Sequence, residues 1–435
     1  MTVIEAIAAW CAGKPPFSQA ARQRAREAII DTLACLYAGR NDFSSRAVRQ
    51  AWSAYQPRPA AVCALINATA AHAIDYDDNF APGMSHASAV LVPALLAIAL
   101  EEKRGGGDLI DAYLIGLQAQ AFVGSVVGPS HYTAGWHGTS TVGCIGTAAG
   151  VAWLKRLDQA GIARTLSIAV SLAGGVKGQF GTPLKPFHAG MAARNAVEAA
   201  TLAAAGMSGR LDIIEGEQGF YQLFSGKHFP SADIARWPTL SQHVIETDGV
   251  LPKKHPCCGS THRVLDAIGD LRARHTFSAD DVVNVAVKVG IANRRNLAYP
   301  LPQNEMQARF SMPYCVSVLL HNGALSVADF TPERVADQAV ADKLGRVGMT
   351  SWSEAEEDEG NNLPHIVTIT LKDGRRLSAQ RLNAKGDISE PFSDDERQRK
   401  FADCCAALPE AGALYRRLTR LEQETSLAFL RVMLM

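Results

Sequence analysis

The 435-residue chain has no surplus of charge, since 43 Lys and Arg balance 43 Asp and Glu. That balance removes the electrostatic case for a nucleic acid or an anionic membrane as partner, so an anionic ligand must be held by local groups. No charged n-region and apolar h-region open the sequence. Its longest apolar run, Ala87 to Leu100, is broken by Pro93 and falls short of the roughly 18 residues that suggest a membrane span. A buried core helix accounts for it. There is no Gly-x-Gly-x-x-Gly after a strand, no P-loop and no Gly-x-Ser-x-Gly elbow, which disfavours nucleotide and acyl-enzyme chemistry. Cys-x-x-Cys spacing and a fixed-period repeat are absent too. The nine cysteines are odd in number and scattered, which fits a reducing, cytoplasmic setting.

What is present is an Ala-rich globular composition, 47% apolar and 20% charged, at a length that points to two domains. Helical spacing runs from Ser18 to Gly39, with Ala21, Ala25, Ile29, Leu33 and Leu36 on one face and Gly39 as C-cap. A second helix is expected over Pro59–Asp78, where His72 and Asp75, three apart, share a face. Small-residue helices follow at Ala87–Lys103, Gly107–Val127, Thr139–Leu157, Ala160–Gly174 and Gly190–Met207. The texture changes near Gly249. β-Branched residues alternate over Asp281–Val289 and His365–Leu371, and Asp373-Gly374 is a hairpin signal leading into Arg375–Leu382. The acidic stretch Glu354–Asn362 reads as an exposed loop, and from Ser393 onward the pattern is helical again, as if rejoining the first domain.

The stretch His72-Ala-Ile-Asp-Tyr-Asp-Asp-Asn-Phe-Ala-Pro-Gly-Met-Ser-His86 organises the candidate chemistry. Asp75, Asp77 and Asp78 fall at a helix C-terminus, where the dipole and their mutual repulsion disfavour negative charge, and burial there raises a carboxyl pKa. Pro82 and Gly83 turn the chain so that His86 returns toward the same place. An exposed acidic helix end is the plainer reading of the same residues. Gly135-Trp-His-Gly-Thr-Ser-Thr141 sets His137 before a helix that Thr139, Ser140 or Thr141 caps, a seat for a carboxylate or phosphate, or else a capping loop around a core histidine. Lys185, between Pro183 and Pro186, is carried on stiff, extended backbone before a helix and suits a substrate carboxylate. Lys253-Lys-His-Pro-Cys-Cys-Gly-Ser-Thr-His262 holds too many ligating groups to ignore, but adjacent cysteines chelate one tetrahedral ion poorly, so an active-site loop is favoured over a metal site. A thiol there, beside Lys253 or His255, is a candidate proton carrier to carbon. Tyr314 in Arg309-Phe-Ser-Met-Pro-Tyr-Cys315 either donates into the cleft or packs.

These motifs, in this order and over nearly the whole chain, resemble the MmgE/PrpD family, whose members include 2-methylcitrate dehydratase, cis-aconitate decarboxylase and iminodisuccinate epimerase. The resemblance rests on His-Ala-Ile-Asp-Tyr-Asp-Asp at 72–78, His86, Gly-Trp-His-Gly-Thr-Ser-Thr at 135–141, Lys-Pro-Phe-His-Ala-Gly at 185–190, Lys-x-x-Pro at 253–256 with the following His262, and Phe-Ser-x-Pro-Tyr at 310–314. It implies a mainly α fold, with a large all-helical domain (1–250 and 393–435) and a smaller inserted α+β lid (251–392), and a homodimer. The site it implies uses neither metal nor cofactor, and Asp75, His86, His137, Lys185, Lys253 and Tyr314 line it. Two positions depart from the family pattern: Asn79 stands where Thr is frequent, and Cys258 where the decarboxylase branch has His. The expectation is a metal-independent lyase of the 2-methylcitrate dehydratase type, acting on a small di- or tricarboxylate. Asp75, His86, His137, Cys258 and Tyr314 are its candidate catalytic groups, and Lys185, Lys253, Thr139, Ser140 and Asn79 its binding groups. A dicarboxylate epimerase and a non-catalytic polycarboxylate binder are the alternatives.

Overall fold

The computed structural model describes residues 1–13, 16–226, 242–360 and 363–435. The larger body is helical: α1 (Val3–Gly13), α2 (Gln19–Gly39), α3 (Phe43–Ala51), α4 (Ala60–Ala73), α5 (Ala87–Glu101), α6 (Gly106–Thr133), α7 (Val142–Leu154), α8 (Gln159–Leu172) and α9 (Leu184–Ala204). The α2 helix starts as its sequence indicates. The Ser18 hydroxyl accepts from the Ala21 N–H at 2.9 Å, and the face from Ala21 to Leu36 is buried. Gly39 does not cap it. It lies inside the helix because the Ala70 carbonyl of α4 approaches to 2.1 Å from where a Cβ would stand.

Three other boundaries move, and each move matters for the site. The α4 helix ends at Ala73, not Asp78, and Asp75 takes a left-handed φ of 54°. Continuing the helix would stack three carboxylates at its negative pole, whereas the turn sends each to its own partners. The α7 helix starts at Val142, after the hydroxyl cluster. The α9 helix starts at Leu184, six residues before Gly190, so Lys185 is fixed by a helix's first turn and not by extended backbone. Pro186 is accommodated there because first-turn N–H groups have no intrahelical acceptor. The α6 helix is kinked where Gly128 takes φ 59° before Pro129, and it is long and apolar enough to cross a membrane. Nearly all of that stretch is buried inside the body.

The smaller part is α+β. Helices α10 (Gly259–Arg274) and α11 (Met312–Asn322) pack on a sheet of β1 (Val282–Val289), β2 (Val347–Ser351), β3 (His365–Leu371) and β4 (Arg376–Arg381), in the order β2-β1-β3-β4. The β1–β2 pair is parallel and the other two are antiparallel. Gly374, at φ 87°, makes the tight β3–β4 turn. Sequence reading located β1, β3 and β4 and missed β2, a short strand with only Val347 fully buried. Glu354–Glu359 is a short helix with a Ser353/Glu356 capping box rather than a loop; Asn361 and Asn362 lie outside the described residues.

Two large hydrophobic cores result, beside a small cluster of Leu36, Ala70, Ala71 and Ala89. One runs through the helical body and takes in Phe401, Leu418, Leu421 and Leu430 from the C-terminal tail, and the other joins Leu265, Ile268 and Leu271 of α10 to Val285, Val287, Val367 and Ile369 of the sheet. The tail is tied down by α12 (Asp394–Cys404), whose buried Lys400 donates to Asp31 Oδ2 at 2.9 Å and to the Tyr76 carbonyl at 2.8 Å. Fold class is therefore mainly α, a large helical body with a smaller α+β unit.

Close helix approach carries much of the first core. At Gly146 of α7 a Cβ would stand 2.5 Å from the Gln120 backbone nitrogen of α6. Gly146→Ala is expected to destabilise the protein by about 1–3 kcal/mol through forced separation of the two helices, read as a lower urea midpoint at unchanged slope.

Candidate active site

The left-handed turn at Asp75 starts a tight loop. Asn79 pairs with Leu251 through two backbone hydrogen bonds of 2.9 Å, Phe80 pairs with Ser85, and His86 precedes α5. This loop presents Asp75 to two lysines. The Lys185 ammonium donates to Asp75 Oδ1, and the Lys253 ammonium donates to the Asp75 carbonyl at 2.8 Å and stands 3.2 Å from Oδ1. All three side chains are buried. Burial alone would push the Asp75 carboxyl up, but Lys185 and Lys253 outweigh it and hold it well below the ordinary range. Burial likewise lowers Lys253, and Asp75 and Asp77 more than compensate, so it stays charged. Taken by themselves, two ammonium groups on one carboxylate present one unit of positive charge to the space in front of them, with the Asp77 carboxylate standing behind.

The imidazoles stand beside this cradle. The Nδ1–H of His86 donates to the Asp78 carbonyl at 2.7 Å, which leaves Nε2 as the bare, basic nitrogen. The His86 backbone N–H donates to Thr139 Oγ1 at 3.0 Å. His137 is buried, its Nδ1 lies 3.2 Å from His188 Nδ1, and its Nε2 has no partner. Burial is the first cause that holds both His86 and His137 well below the usual imidazole range; the lysines add to it. Both are neutral and able to accept a proton at neutral pH. Five buried polar atoms here have no partner among the described residues: His72 Nε2, Asp75 Oδ2, Asp77 Oδ1, Asp78 Oδ2 and His137 Nε2. Of these, Asp75 and His137 line one cavity, where a ligand can satisfy them.

A cavity of about 380 Å³ brings together Asp75, Asn79, His86, His137, Lys185, Lys253 and Cys258, seven of the ten residues singled out from the sequence. The thiol of Cys258 is raised by burial and by Asp75, so it is protonated. The other three do not line the cavity. Thr139 spends its hydroxyl on the His86 backbone, and Ser140 donates to the His188 carbonyl at 3.2 Å. With α7 starting only at Val142, and the N–H groups of Ser140, Thr141 and Gly143 spent on carbonyls of the same loop, no anion seat forms there. Tyr314 packs in the second core beside Phe330, and its hydroxyl donates to the Asp329 carbonyl at 2.5 Å. It is a packing residue. His72 pairs with Asp77 at 2.7 Å and not with Asp75, because α4 ends between them.

Sequence reasoning missed part of the outer wall: Tyr132, Ser260, Arg263, Asn293, Asn296 and Lys385. The i, i+3 spacing of Asn293 and Asn296 on the short helix Ile291–Asn296 was a usable signal, and their amides both reach Ser260 Oγ, at 3.1 and 3.4 Å. A second cavity of about 390 Å³ lies beyond Leu251 and Pro252, lined by Arg24, Glu27, Asp31, Asp78 and Arg397. Among the described residues lining it there is no imidazole or thiol. His72, Asp75, Asp77 and His86 offer metal-ligand atoms within 4.8 Å of one another. Two ammonium groups already occupy the charge of Asp75, which sets this cluster against a divalent cation.

Models of the MmgE/PrpD N-terminal and C-terminal domains match residues 5–232 and 255–421. The chain belongs to the MmgE/PrpD family. Among family relatives, the human (Homo sapiens) protein named cis-aconitate decarboxylase is 28% identical over 411 residues, 87% of this chain and 82% of its own length. A protein of the same name from Aspergillus terreus is 23% identical over 416 residues, 87% and 84% of the two chains. These MmgE/PrpD relatives are lyases by name, and the likeness extends over both cores.

Two outcomes follow. Lys185→Met leaves Asp75 paired with Lys253 alone and removes the surplus charge, so citrate, used as a polycarboxylate probe, is expected to bind about tenfold more weakly, roughly 1.4 kcal/mol, by calorimetry. The second concerns Asp78, whose carboxyl is pushed up to about 7, by burial first and by Asp77 and Asp31 against the donation from Ser88. Unfolded, it titrates near about 3.9, so between those values the folded chain holds a proton the unfolded chain has lost, and stability falls as pH rises through that window. Asp78→Asn is expected to raise the melting midpoint at pH 8 and to leave it unchanged at pH 4, by thermal unfolding followed with circular dichroism.

Proposed function

We propose that the protein is a lyase acting on a small di- or tricarboxylate, removing a proton alpha to a carboxylate and eliminating water from the neighbouring carbon. The observation that carries this reading is the buried Asp75–Lys185–Lys253 cradle, with its one surplus positive charge, facing two neutral imidazoles in a single cavity. A substrate carboxylate docks on the lysines, which also stabilise the enolate-like charge that develops once the C–H bond breaks. The proton goes to the bare Nε2 of His86, or to His137, and the electron pair stays on carbon. When a hydroxyl on the β-carbon takes up a proton and departs as water, that pair becomes the new double bond. The family membership and the names of the relatives support a lyase, and the dehydratase is the form proposed here. Loss of carbon dioxide, the activity in the relatives' names, is not carried over, because position 258 presents a protonated thiol where the decarboxylase branch has an imidazole.

Cys258 also favours a second reading. His86 and His137 belong to the helical body, whereas Cys258 stands at the start of α10, held by a 2.9 Å bond from its N–H to the Arg309 carbonyl on the other wall. A base on one wall and a proton donor on the other suit an epimerase that lifts a proton from one face and returns one to the opposite face.

Incubation in deuterated water with 2-methylcitrate, citrate, cis-aconitate and substituted succinates, followed by NMR and mass spectrometry, separates these. An unsaturated product formed with loss of water supports the dehydratase; deuterium at the α-carbon without loss of water replaces it by the epimerase. Loss of carbon dioxide restores the relatives' activity, and binding without any turnover leaves a non-catalytic polycarboxylate binder.

A further inference from the structure

Behind the cradle lies a buried arrangement that the mechanism above does not use. Asp77 is fully buried, and its Oδ2 accepts from the Nδ1–H of His72 at 2.7 Å while standing 3.4 Å from the Nδ1 of His86. His72 in turn is sandwiched between the two candidate bases. Its ring lies 4.6 Å from that of His86 and is stacked at 5.7 Å on that of His137. One carboxylate thus accepts from His72 and lies within ion-pair distance of His86, and one ring stands between both cavity imidazoles.

We propose that Asp77 is a positioning residue for His86: it shares its carboxylate between His72 and His86 and supplies the buried counter-charge for the imidazolium that forms when His86 takes a substrate proton. The inference rests on the proton-abstraction reading given above. At the moment of transfer the C–H electron pair remains on the substrate and the proton bonds to His86 Nε2. The new positive charge then resides on a ring whose Nδ1–H donates to the Asp78 carbonyl and whose Nδ1 stands 3.4 Å from Asp77 Oδ2. In a water-excluded site a carboxylate at that distance is effective because it needs no reorganisation. His72 competes for the same oxygen. Its 2.7 Å bond draws the carboxylate away from His86, so the pair sets how basic His86 is.

The other charged groups around this pair are few. Lys253 and Lys185 face His86 across Asp75 and disfavour its protonation; behind Asp77 stand Asp78 and, on α2, Asp31 with its Lys400 partner. Burial pushes the Asp77 carboxyl up, yet His72, His86 and Lys253 hold it well below the ordinary range, so it is a charged acceptor throughout the working pH. The two substitutions that separate a positioning role from a merely structural one act in opposite directions. Asp77→Asn removes the counter-charge and lowers the basicity of His86, whereas His72→Phe removes the competing donor, frees the carboxylate for His86 and raises it.

The test uses the full chain labelled with 15N-histidine, with His86 assigned by comparison with His86→Gln. NMR of the imidazole nitrogens follows the His86 titration midpoint in the wild type and both variants. The expected result is a midpoint moved down, or below the measurable range, in Asp77→Asn, and moved up in His72→Phe. On whichever acid the wild type turns over, Asp77→Asn is further expected to lower kcat by about 10²-fold while KM stays within about threefold. Midpoints that do not move, or that move the same way in both variants, overturn the proposal. Should Asp77→Asn fail to fold, His72→Phe decides alone, a rise supporting the role and no movement overturning it. An enzyme that turns over none of the acids refutes the reaction reading, and the titration still decides the role of Asp77.

Discussion

Everything in the site depends on one buried carboxylate held between two ammonium groups. Asp75, Lys185 and Lys253 are separated by 110 and 178 residues along the chain, and each is almost completely removed from water. Burying such charges is costly unless they compensate one another, so the trio specifies a single arrangement of the loop after α4, the first turn of α9 and the segment leading into α10. A displaced member would leave an unpaired charge in an apolar setting. The left-handed turn at Asp75 makes the trio possible, because it detaches the carboxylate from the helix and swings it toward both lysines.

The same logic explains what was legible in the sequence. Motifs rich in His, Asp, Lys and Cys announced themselves by residue type, and seven of the ten chosen residues do meet in one cavity. What could not be read was where each side chain points. Thr139 and Ser140 sit beside His137, which lines the cavity, but turn their hydroxyls to the backbone of His86 and His188, and Tyr314 satisfies its hydroxyl inside the second core. His72 looked like a partner of Asp75 by helical spacing, and the early end of α4 gave it Asp77 instead. In each case a tertiary hydrogen bond decided between two locally acceptable conformations.

The helices and most strands were legible for a different reason, since their apolar periodicity is strong and their caps carry recognisable chemistry, as at Ser18 and Ser393. Boundaries were less so. Pro183 and Pro186 suggested extended backbone before Gly190, but a helix's first turn tolerates proline as readily as an extended segment does. Gly39 suggested a helix end, and its real requirement is the nearness of Ala70, a contact that no local pattern announces.

The cavity is divided between two hydrophobic cores: cradle and imidazoles are mounted mainly on the helical body, while Cys258 is anchored through Arg309 to the α+β unit. A side chain on one wall can therefore be exchanged without repacking the core that supports the other. Position 258, where this chain carries a thiol, lies on the wall that the second core supports.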